Sequence, residues 1–144
     1  MNESAKTPVH LWIVGGVSAL WNAFGAFNYW ATQTRNPAIM AQLTPEQRAF
    51  LENAPAWVDA SWAFGVWGAL AGSLLLLARS RHAVAAFAVS LAGLAVNTFS
   101  QLGLPETSPH LDSAGQIALH VLIWVVAIGL LLYSLRMRAR GVFR

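Results

Sequence analysis

The chain contains no cysteine. That absence excludes a disulfide, a thiolate nucleophile, an iron–sulfur cluster and cysteine-ligated zinc, and it leaves the redox compartment unread. Charge is almost as scarce. Asp, Glu, Lys and Arg make up 10% of the 144 residues, against roughly 25% in soluble domains. No His-Glu-x-x-His or similar close spacing of metal ligands occurs among His110, His120, Asp59 and Glu106, so no metal site is assigned. No nucleophile-elbow pattern accompanies His120, which removes the usual setting of a Ser-His-Asp hydrolase. A bis-histidine haem could draw only on His10 with His82, or His110 with His120, and three of these four are terminal or in loops. The reading is therefore of a protein that is no enzyme, has no catalytic residue and needs no cofactor.

What the chain does have is long uncharged runs. Apart from histidines, 28 residues without charge separate Lys6 from Arg35, 19 separate Asp59 from Arg79, 24 separate Arg81 from Glu106 and 23 separate Asp112 from Arg136. A membrane-spanning helix needs roughly 20. Soluble helices carry a charged face, which these runs do not supply. The fold expected is all-α: an integral membrane four-helix bundle in one domain covering 1–144, with spans near 9–31, 57–78, 83–104 and 114–135. The first run exceeds a signal-peptide core of about 7 to 15 residues and is followed by further spans, so it reads as a span itself.

Nine basic residues and a net charge of +3 gather where runs end, which is the pattern of membrane topology and gives no reason to expect nucleic acid. Lys6, Arg79, Arg81, Arg136, Arg138, Arg140 and Arg144 would share one side, and Arg35 and Arg48 the other. Seven against two places both termini inside. Trp12 then marks the inner edge, while Tyr29, Trp30, Trp57 and Trp62 fall at the outer interface. Trp21, Trp67 and Trp124 fall deeper, where packing or a binding surface must account for them.

The connection from Thr32 to Pro55 has local structure of its own. Thr44 as N-cap, Pro45 at the first helical position, Glu46 at the positive end of the dipole and Gln47 closing a capping box predict a short amphipathic helix over 45–53. It either rests on the headgroups or covers a site. Arg79-Ser80-Arg81-His82 reads as a tight turn between antiparallel neighbours. The segment 105–112, with two prolines and no Lys or Arg, reads as an outer loop, with Asp112 or Ser113 capping the last helix.

With this orientation Asn28, Asp59, Asn97, Gln101, Gln116 and His120 all fall in the outer halves of their helices. They form the candidate ligand-binding set. Their alternative role is hydrogen bonding between helices, worth about 0.6 to 2 kcal/mol per interaction. The functional alternative is a wet pocket for a polar solute, as polar groups at membrane depth face cavities or partners. Ser18, Asn22 and Ser90 lie deeper. Gly68 and Gly72 form a GxxxG step, with Gly65 on a neighbouring track, and these three are the expected helix-packing residues.

Several segments carry a resemblance that extends over most of the chain. These are Pro45-Glu46-Gln47-Arg48-Ala49-Phe50-Leu51, Ala54-Pro55-Ala56-Trp57, Gly65-Val66-Trp67-Gly68 and Gly72-Ser73-Leu74-Leu75-Leu76-Leu77, with Leu20-Trp21-Asn22, Gly25 and Ser90-Leu91. Together they resemble a family of short four-span bacterial membrane proteins often labelled sugar transporters. The resemblance implies a bacterial inner-membrane location and a sugar as the solute class, and it assigns no residue to binding. The intramembrane proline-glutamine motif of three-span sugar carriers and the first-span glutamate of small multidrug exporters are both absent. Two functions follow as expectations: a carrier or binder of a small polar solute, or a non-catalytic accessory subunit packed against a larger membrane complex. The partners expected are the lipid bilayer and either a second copy or that complex.

Overall fold

A computed structural model describes residues 5–103 and 114–144. Six helices account for most of them: α1 (Val9–Gln33), α2 (Pro37–Gln42), α3 (Pro45–Asn53), α4 (Ala56–Leu77), α5 (His82–Gly103) and α6 (Ala114–Ala139). Strands are absent among the described residues. α1, α4, α5 and α6 are each long and apolar enough to cross a membrane, the mark of a multi-pass membrane protein. The segment 105–112 and its capping residues lie outside the described residues.

The helix ends follow from local chemistry. Thr44 Oγ1 accepts from the Gln47 N–H at 3.2 Å and Gln47 Oε1 accepts from the Thr44 N–H at 3.0 Å, so the capping box of α3 is closed in both directions. α2 was not expected, yet Asn36 caps it through the Ala38 N–H at 3.0 Å and Pro37 occupies its first turn. Arg48 then ties α3 to α2 by donating twice to the Met40 carbonyl, at 3.0 and 2.6 Å.

Three long helices end alike. After α1, Arg35 and Asn36 donate backward to Thr32 and Ala31 O; after α4, Arg79 and Ser80 donate to Leu76 and Leu75 O; after α6, Gly141 and Val142 donate to Arg138 and Met137 O. These are Schellman turns, which need one left-handed residue. Gly141 supplies it at φ 70°, but Arg35 and Arg79 adopt φ 53° and 56° with a Cβ in place. Each such arginine carries a cost of about 1–2 kcal/mol.

In space α1 packs beside α4, α4 beside α5 and α5 beside α6, and α6 also meets α1 at one end. The α4–α5 seam is the most extensive. Glycine makes that approach feasible: a Cβ on Gly93 would stand 2.6 Å from Gly65 N and 2.7 Å from Ser61 O. Gly68 faces the Ser90 backbone at 3.1 Å and Gly72 faces the Phe87 ring at 2.7 Å by the same measure. The GxxxG face of α4 is thus filled from within the chain.

The buried apolar core gathers at the end of the bundle where α1 begins and α6 ends. Leu11, Leu76, Ala83, Phe87, Leu130, Met137 and Val142 make one cluster there. His10 Nδ1 and the Tyr133 hydroxyl meet at 2.5 Å, joining α1 to α6 at this end.

Candidate functional site

The polar side chains of the spans settle into the seams between helices. In the α1–α4 seam, Asn22 Nδ2 donates to Ser73 Oγ at 2.8 Å and to Ala69 O at 3.2 Å, and both side chains are buried. In the α4–α5 seam, buried Ser90 donates to Gly65 O at 2.6 Å. Further toward the other end of that seam, Asn97 Nδ2 reaches Ser61 Oγ at 3.4 Å and Val58 O at 3.5 Å, while Gln101 Nε2 donates to Asn97 Oδ1 at 2.7 Å. The α5–α6 seam holds a third group. Thr98 Oγ1 accepts from Trp124 Nε1 at 3.1 Å and lies 3.0 Å from His120 Nε2.

The six candidate binding residues therefore separate. Asn97 and Gln101 are joined in one seam and His120 lies in the next. Asn28 is exposed on α1, and Gln116 is half-buried in the first turn of α6. Asp59 lines a small polar recess with Thr32, Gln33, Arg35 and Leu51. That recess has a volume of about 30 Å³, room for a water molecule or two on a threshold of roughly 10–15 Å³ each. It is far below the roughly 300–1,000 Å³ of a small-molecule pocket. Leu51 of α3 forms part of its wall, so the short helix borders the recess.

Thr98, Ser61 and Ser73 are the partners that sequence reasoning passed over. Their signal was available in outline: Ser61 and Ser73 lie on α4, among the glycines that mark its close-packed face, and Thr98 follows Asn97 directly. Small hydroxyl residues on a close-packed helix face are the expected acceptors for Asn, Trp and His from a neighbouring helix.

A larger concavity is apolar. It lies on the α1–α4 side, has a volume of about 300 Å³, and is lined by Ala23, Ala26, Phe27, Trp30, Trp67 and Leu70. Trp67 and Tyr29 meet edge to face at 6.4 Å beside it, and Tyr29 meets Trp62 the same way at 4.9 Å. Its walls are open to the surroundings, since Trp30 and Trp67 remain about half exposed, at 52% and 46%. No group of three or more His, Asp or Glu side chains able to hold a metal occurs among the described residues. No family model, curated protein or solved structure matches the chain.

Proposed function

We propose that the protein is a non-catalytic accessory subunit of the bacterial inner membrane, with both termini cytoplasmic, whose α1–α4 groove receives a helix of a larger membrane protein. The observation that carries this reading is the division of labour in the spans. Polar groups are engaged in seams within the chain, while the large concavity is apolar, aromatic-walled and open-sided. In a bilayer, helix association draws on close packing of this kind. The seven-to-two distribution of basic residues supports the orientation, and the resemblance noted above supports the bacterial inner membrane.

The test is a photo-reactive residue placed at Phe27 or Trp67 in the full chain and illuminated in native membranes. One heavier adduct containing a single defined membrane protein is expected from both positions, and none from Val125 on α6. An adduct with the mass of a dimer, or lipid adducts alone, overturns the reading.

A second reading, a carrier of a small polar solute such as a sugar, is favoured by one observation. Asp59 and Arg35 bring opposite charges to a single recess bordered by α3, so displacement of that helix would open a polar site. Saturable sugar uptake into proteoliposomes that falls with Asp59→Ala would support it; equal leakage with and without protein rejects it.

A further inference from the structure

The two ends of the bundle differ in charge more sharply than a count of residues conveys. Among the described residues the carboxylates are Glu46, Glu52 and Asp59, all in α3 or the first turn of α4. The opposite end holds Lys6, the turn arginines Arg79 and Arg81, and four more arginines between 136 and 144, with no described Asp or Glu among them. Among the described residues the ion pair formed is Arg35 with Glu52, at the other end.

These cations are not carried on loose tails. The Schellman turn at Gly141 folds the chain back, and Val142 enters the core beside Leu11, Leu76 and Met137 at 5% exposure. Arg144 N then donates to Arg79 O at 2.8 Å, and Arg81 N donates to Arg144 O at 3.3 Å. Arg79 Nη1 reaches back to Thr7 Oγ1 at 2.8 Å. A backbone clasp thus joins the α4–α5 turn to the segment after α6, and one side-chain hydrogen bond ties the segment before α1 to it. Arg81 and Arg144 remain exposed on it.

The rim also stands where apolar surface begins. Val9, Trp12 and Ile13 are exposed just beyond Lys6, and exposed Leu132 lies one turn before Arg136. That is the depth of lipid headgroups for helices of this length.

We propose that this basic rim is a docking surface for the phosphate groups of anionic phospholipids, and that the C-terminal clasp holds Arg79, Arg81 and Arg144 in position for it. Clustered Lys and Arg beside a span attract anionic headgroups over about one Debye length. Guanidinium groups add paired hydrogen bonds to phosphate oxygens. The inference is independent of the accessory role and of the α1–α4 groove.

Delipidated full-length protein in mild detergent, titrated with phosphatidylglycerol or with phosphatidylcholine of the same acyl chains and read by native mass spectrometry, tests it. Phosphatidylglycerol is expected to be retained several-fold more than phosphatidylcholine. The preference should fall by more than half in Arg79→Gln/Arg81→Gln/Arg144→Gln, and also in Arg136→Gln/Arg138→Gln, which alters exposed side chains in the last turn of a helix and leaves the clasp intact. Arg35→Gln/Arg48→Gln should keep the preference. Val142→Ser, which retains all seven charges and removes the anchor of the tail, should reduce it under conditions where helical circular dichroism is unchanged. Equal retention of the two lipids, an equal loss in the Arg35/Arg48 variant, or displacement of lipid by millimolar inorganic phosphate overturns the lipid surface. Full retention in Val142→Ser overturns the role of the clasp.

Discussion

Gly93 and Gly65 bring the backbones of α5 and α4 together so closely that a methyl group on Gly93 would stand 2.6 Å from Gly65 N. The atoms in the way are main-chain atoms, so no side-chain rotation relieves the contact. Gly93→Ala should force the two helices apart and lower stability by about 1–3 kcal/mol, the usual range for overpacking. Gly129→Ala is the comparison, since nothing lies within 4 Å of its added Cβ. Thermal unfolding in detergent should show a fall for the first and none for the second.

Asn22 and Asn28 lie on the same helix with different surroundings. Asn22→Ala removes the donors to Ser73 and Ala69 and should cost about 0.6–2 kcal/mol. Asn28→Ala, at an exposed position, should leave the unfolding midpoint unchanged. A midpoint that fell equally for both would contradict the placement of Asn22 in the seam.

The left-handed residues predict opposite signs for two substitutions. Arg35→Gly relieves a φ of 53° and sacrifices a 3.9 Å pairing between exposed groups, so a net gain of about 0.5–1 kcal/mol is expected. Gly141→Ala places a Cβ at φ 70° and should cost about 1 kcal/mol. Reversible unfolding by a graded denaturing detergent would measure both.

Thr98 gives α5 its side-chain hold on α6. A double-mutant cycle on Thr98→Val and Trp124→Phe should return a coupling of about 0.6–2 kcal/mol, because the 3.1 Å bond joins the two side chains directly. Additive single effects would show that the bond contributes nothing to holding the helices together.

Much of the architecture was readable residue by residue, and the parts that were not share a cause. Thr44, Pro45 and Gln47 define a cap within four residues, and α3 begins there in the structure. Asn36-Pro37 carries the same kind of signal for α2, but six residues provide no apolar period to accompany it. The polar residues were another matter. Helical spacing says that Gln116 and His120 share a face, but which neighbour that face meets depends on how α6 is rotated against α5. Local sequence does not encode that rotation. The pairing of Thr98 with both His120 and Trp124 is therefore set by how α5 and α6 lie side by side. The clasp is similar: Gly141 carries the local signal of a helix-ending glycine, whereas the berth for Val142 includes residues more than fifty positions away, such as Leu76 and Leu11.

The order of the seams also bears on how the protein is made. Every extensive seam joins spans consecutive along the chain: α1 with α4, α4 with α5, α5 with α6. As synthesis proceeds, each newly inserted helix thus finds the surface of its most extensive seam already in the bilayer, while His10 and Leu11 at the start of α1 gain their α6 partners last. The segment after α6 follows the last span and closes onto Arg79 and Arg81, so the clasp forms only once all four spans are in place.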